Sequence, residues 1–103
     1  YCSQYAPDST DPAVQDFIKR YTDANGEAPN MFALLGYDAM RMMLQSIEDA
    51  GSTDSAAIVE AMTKLEYEGL TGNMTFDENR NPVKSAVILT FENGTTKFVE
   101  NFG

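Results

Sequence analysis

The hydrophobic period changes once along this chain, and that change limits its possible folds more than any other feature. Up to about Glu68, apolar residues recur at helical spacing; beyond Gly69 they alternate with polar ones. A chain of this kind is helical first and β second. Asp11-Pro12 predicts a helix start, with Asp as N-cap and Pro at the first helical position. Val14, Phe17, Ile18 and Tyr21 then form one stripe, and Gly26 supplies the stop. Asn30 caps a second and stronger helix over Met31 to Ala50. Phe32, Gly36, Ala39, Met40, Met43 and Ile47 share its apolar face. Asp38, Arg41, Gln45 and Glu48 share the opposite one, with Asp38 and Arg41 spaced to pair. Gly51 ends it. A third helix, capped within Ser52-Thr53-Asp54, carries Ile58, Met62 and Leu65 along one line.

After the switch, Leu70, Gly72, Met74 and Phe76 alternate with polar residues as a strand. Asp77 to Pro82 is a polar turn, and Ser85 to Phe91 a β-branched strand. Asn93-Gly94 is a two-residue hairpin signal, and Thr96 to Phe102 the returning strand. With the short extended stub Tyr1 to Tyr5 in front, the expectation is an α/β chain. It has three helices followed by a three-stranded antiparallel β region. Three amphipathic helices carry more apolar surface than three short strands cover, so a further sheet is expected beyond these residues. The start, Tyr1-Cys2-Ser3-Gln4-Tyr5, likewise reads as the interior of a longer sequence.

Composition excludes whole classes of function. Sixteen Asp and Glu against seven Lys and Arg give a net charge of −9, the wrong sign for nucleic acid or an anionic membrane surface. With no histidine and one cysteine, His-dependent triads, His-based metal sites, Cys-rich zinc sites and internal disulfides are all unavailable. Neither a Walker loop nor GxGxxG occurs, so no metal, cofactor or catalytic residue is assigned. Asp77, Asn79 and Asn81 imitate a calcium loop. The positions that need Gly and Glu hold Pro82 and Ile88, which makes the segment a turn. Cys2 has no activating partner and reads as structural. The carboxylates read as solvated faces, the six methionines mainly as packing, and the sequons at Asn73 and Asn93 as chance. Phe32 stands apart, because it opens the long helix directly after a turn and can face a cleft.

Several motifs in order carry a family resemblance. They are Asp11-Pro12, Phe32-Ala33-Leu34-Leu35-Gly36-Tyr37-Asp38-Ala39, Ile47 to Ser52, Leu70-Thr71-Gly72-Asn73-Met74-Thr75-Phe76-Asp77-Glu78-Asn79, and Asn93-Gly94. Over about residues 1 to 100 the chain resembles the C-terminal third of branched-chain amino-acid type ABC-transporter solute-binding proteins. The resemblance implies a fragment of a two-lobed type I periplasmic binding fold, non-catalytic and closing around a small solute. Residues 1–10 would form a crossover strand and turn, and 11–67 the helical part of the first lobe. Residues 68–103 would supply strands, the last crossover near Pro82 to Ala86, and a C-terminal hairpin in the second lobe. The implied partners are an amino acid or similar ligand and an ABC permease. The implied location is periplasmic or extracellular, with a lipid anchor as one way of holding the parent at the membrane. The ligand contact carried over is Phe32, as an apolar wall; the charge-pairing contacts lie upstream, so the isolated chain is expected to bind no amino acid tightly. Arg80 stands where many members have Gly, which implies a different turn or a left-handed arginine. The isolated fragment, with uncovered faces, is expected to self-associate or to swap elements between copies. A receptor's ligand-sensing domain and a free-standing interaction module are the alternative readings.

Overall fold

Residues 1–103 are all described by the computed structural model. Cys2–Ser3 form a short strand, β1. Helix α1 spans Pro12–Asn25; the Asp11 side chain accepts from the Ala13 amide, and Gly26 closes the helix at φ 78°. Helix α2 spans Met31–Ala50, between an Asn30 cap that accepts from the Phe32 and Ala33 amides and Gly51 at φ 62°. Helix α3, Ser55–Thr63, is capped by Asp54. The three helix starts and the stops at Gly26 and Gly51 foreseen from the sequence are in place, because each is set by local chemistry. Helix α3 ends sooner than its apolar line suggested: Leu65, placed on that line, lies beyond Thr63 and is buried outside the helix.

The β region differs in detail from the expectation. It contains β2 (Tyr67–Gly69), β3 (Gly72–Phe76), β4 (Pro82–Lys84), β5 (Ala86–Glu92) and β6 (Thr95–Phe102). These make two three-stranded antiparallel sheets, β2-β3-β4 and β1-β5-β6, rather than one. The stub β1 joins the second sheet through Cys2↔Ile88 and Ser3↔Val87. Strands β2 and β4 have three residues each, too few to show a period. The β5–β6 turn places Asn93 and Gly94 at φ 53° and 80°, as a two-residue hairpin with this twist requires.

The core is small. Tyr5, Val14, Phe17 and Leu34 form its buried centre, with Ile18, Tyr21, Tyr37 and Leu70 packed against it. The α1 stripe faces this core as expected. Helix α2 does not turn the expected face inward. Its buried line is Leu34, Asp38, Met42 and Ser46, while Phe32, Met40 and Met43 are 68%, 60% and 42% exposed. The side of α2 that meets α1 and the β2–β3 turn is the more polar one, and the stripe of larger apolar residues has no covering element. The accessible surface is 6978 Å², against about 5,800 Å² for a compact chain of this mass. The radius of gyration is 15.4 Å, against about 13 Å for a compact domain.

The elements fall into two bodies. Helix α1 packs on α2 through Phe17, Leu34 and Tyr37, α2 packs on α3 and α3 on β3, whereas β1, β5 and β6 make extensive contacts only among themselves. Two chain segments join the bodies, one after Ser3 and one between Lys84 and Ala86.

Candidate functional site

The β2–β3 connection is a two-residue turn, Leu70–Thr71, flanked by the pair Gly69↔Gly72. A carboxylate from α2 holds both central amides. Asp38 Oδ1 accepts from the Leu70 N–H at 2.9 Å. Its Oδ2 accepts from the Thr71 N–H at 2.9 Å and from the Thr71 hydroxyl at 2.7 Å. Lys84 on β4 donates to Thr71 Oγ1 at 2.6 Å. Burial pushes the Lys84 ammonium below its ordinary value, and nearby Asp38 opposes that shift. Asp38 is 2% exposed, and these donors satisfy a charge that would otherwise be costly to bury. Gly69 makes room for it: a Cβ there would sit 2.6 Å from Asp38 Oδ2. The Asp38–Arg41 pair allowed by spacing is not formed; Asp38 faces the turn and Arg41 lies beside the Tyr67 phenol.

This network fixes Thr71 on the rim of a groove of about 710 Å³ between the two bodies. Gln4, Tyr5 and Asp8 line it from the N-terminal segment, Thr71 from the turn, and Ser85 and Phe98 from the second connection and β6. Both joining segments thus border the same groove. Tyr5 anchors one wall by donating its hydroxyl to the Pro29 carbonyl. Its burial, with Tyr1 nearby, raises the phenol above its ordinary value.

Phe32 lies outside this groove, exposed on the first turn of α2. Cys2 is an exposed free thiol on β1. In the 77–81 loop, Asp77 accepts from the Asn79 and Asn81 amides, each at 2.8 Å, so its carboxylate organises the turn. Arg80 sits in the left-handed region at φ 66°, as one of the two readings of its departure from Gly foresaw. Sequence reasoning missed Asp38, Thr71 and Lys84 as a set. A usable signal was present in Gly69-Leu70-Thr71-Gly72, a turn bracketed by two glycines with no Asn or Asp of its own to satisfy its amides.

The fold and the groove define a two-body α/β architecture with a groove at its connections. The family model described as periplasmic binding protein matches residues 1–95. The chain belongs to this family. A curated relative from Pseudomonas aeruginosa, a leucine-, isoleucine-, valine-, threonine- and alanine-binding protein, is 32% identical over 68 residues. That match takes in 66% of this chain and 18% of the relative. A leucine-binding protein from Thermotoga maritima superposes with a TM-score of 0.79 at 31% identity, covering 98% of this chain and 29% of that one. The substrate-binding protein of a branched-chain amino-acid transporter from Streptococcus pneumoniae, solved with isoleucine, gives 0.80 at 27% identity, covering 95% and 29%. The chain therefore spans under a third of the length of these relatives.

Proposed function

We propose that these residues are the C-terminal part of an extracytoplasmic solute-binding protein, which closes two lobes around an amino acid and presents it to an ABC permease without catalysing a reaction. One observation carries the reading: two bodies, joined by two short segments, share a groove at the joints. The named specificities of the relatives, leucine, isoleucine, valine, threonine and alanine, supply the ligand class of branched-chain and other small uncharged amino acids. In this reading the helices and β2-β3-β4 belong to the first lobe, and β1-β5-β6 to the second. Residues 82–86 form the last crossover. Phe32, exposed here, contributes an apolar wall to a cleft completed by the rest of the parent. In this reading the exposed Met40 and Met43 of α2 are covered by a further sheet of the parent. The same face makes the isolated 103-residue chain self-associate, which sedimentation of that chain would reveal.

Calorimetric titration of the full-length protein with leucine, isoleucine and valine tests the reading. Saturable binding of at least one is expected. Phe32→Ala should weaken it about 5- to 30-fold, the loss of part of a buried phenyl surface. Absence of binding to all three would overturn the assignment of ligand class, and an unchanged affinity in Phe32→Ala would remove Phe32 from the site.

A further inference from the structure

The bonds on either side of the groove locate the joints at single residues. Upstream of Gln4, Cys2 and Ser3 are paired with β5, and Tyr1 exchanges backbone hydrogen bonds with Leu89. Downstream of it, the chain is fastened to the helical body. The Tyr5 hydroxyl donates to the Pro29 carbonyl, and the Gln15 side-chain Nε2 donates to the carbonyls of Pro7 and Ser9 at 3.1 and 2.8 Å. Gln4 lies between these anchors at a bend, and its buried side-chain oxygen has no hydrogen-bond partner in either body. Ser85 occupies the equivalent place in the second connection: Lys84 pairs with Met74 in one sheet and Ala86 with Phe102 in the other. Two bodies joined at two single residues can rotate about the line through them.

One hydrogen bond crosses that line. Asp8, in the segment fastened to the helical body, accepts from the Phe98 N–H at 3.1 Å. Phe98 lies on β6, the edge strand of the other body, so its amide is free to take a partner outside the sheet. We propose that Asp8 is a latch across a hinge at Gln4 and Ser85, holding the two bodies at the angle seen here. The proposal rests on reading the bodies as parts of two lobes. The aspartate acts through acceptance of an amide hydrogen, so asparagine can replace it and alanine cannot. Rotation about the joints moves β6 away from the Asp8 carboxylate, so the bond belongs to one arrangement of the lobes and biases the equilibrium toward it.

The test uses the ligand-free full-length protein with Cys2→Ser and any other cysteine replaced. Spin labels go on Ala56→Cys in α3 and Glu100→Cys in β6, both exposed. Their distance distribution is read by pulsed electron resonance, and exchange of the Phe98 amide by mass spectrometry. Asp8→Ala should at least double the width of the distribution and speed Phe98 exchange several-fold, while Asp8→Asn keeps both near the parent. A distribution unchanged in Asp8→Ala, or as wide in Asp8→Asn as in Asp8→Ala, overturns the latch. Leucine, isoleucine and valine titrated into the same samples separate the two readings. Distances that respond to Asp8 in a protein that binds none of the three leave the latch standing and count against the amino-acid reading. Binding of any of them with distances indifferent to Asp8 does the reverse.

Discussion

A carboxylate with 2% of its surface exposed must be fully hydrogen-bonded to be tolerated, and Asp38 meets that demand with two amides and a hydroxyl. Its removal leaves the half-buried Leu70 amide and the buried Thr71 amide without acceptors, and Lys84 without its nearby negative charge. Asp38→Ala should therefore cost about 3–5 kcal/mol, and Asp38→Asn, which keeps one acceptor oxygen, about 2 kcal/mol. Denaturant midpoints of the full-length protein measure both; a loss below about 1 kcal/mol in Asp38→Ala would show that the turn stands without it. Ser46, two helical turns further along the same face, is the opposite case. It is fully buried and its hydroxyl has no partner. Ser46→Ala should keep stability or raise it by up to about 1 kcal/mol in the same assay, because it removes an unpaired buried polar group.

At the scale of elements, the turns carry the sequence-specific chemistry. The 77–81 loop is organised by Asp77, whose carboxyl is held below its ordinary value of 3.8 chiefly by the Asn81 amide, with the Asn79 amide adding to it. A lowered folded-state value means that this stabilisation is present above the unfolded value and is lost as pH falls through the folded one. Below pH 4 the protein should lose stability more steeply than its Asp77→Asn variant; identical acid limbs in urea melts would exclude the loop from acid unfolding. Arg80 occupies φ 66° in this loop, where a side chain costs about 1–2 kcal/mol and glycine's extra unfolded-state entropy returns about 0.5–1. Arg80→Gly should thus stabilise by up to about 1 kcal/mol, read from the same melts. Asp at the head of a turn is a local fact of the sequence, whereas the departure at Arg80 was marked only by the family resemblance. Strands β2 and β4 were not approachable from sequence, because three residues show no period and their pairing is supplied by β3.

At the scale of the molecule, helix α2 leaves large apolar residues exposed. Met40 is 60% exposed and belongs to the face that the sequence marks as core. Met40→Asp should leave the folding of the isolated chain intact and reduce the self-association proposed for it, read by sedimentation. In the full-length protein the same change should cost about 2–5 kcal/mol, the price of a charge and a lost methionine in a packed interface. Equal effects in both settings would mean that nothing covers this face. By itself the sequence determined the helix limits, the Asn93-Gly94 hairpin, the α1 core stripe and the family resemblance, because caps, turns and motif order depend on residues near one another in the chain. Tertiary structure alone decided which side of α2 is buried, the division of the strands into two sheets, the Asp38–Thr71–Lys84 network and the groove between the bodies. Those depend on groups more than ten residues apart, whose meeting follows from how elements pack and leaves no periodic trace in the chain.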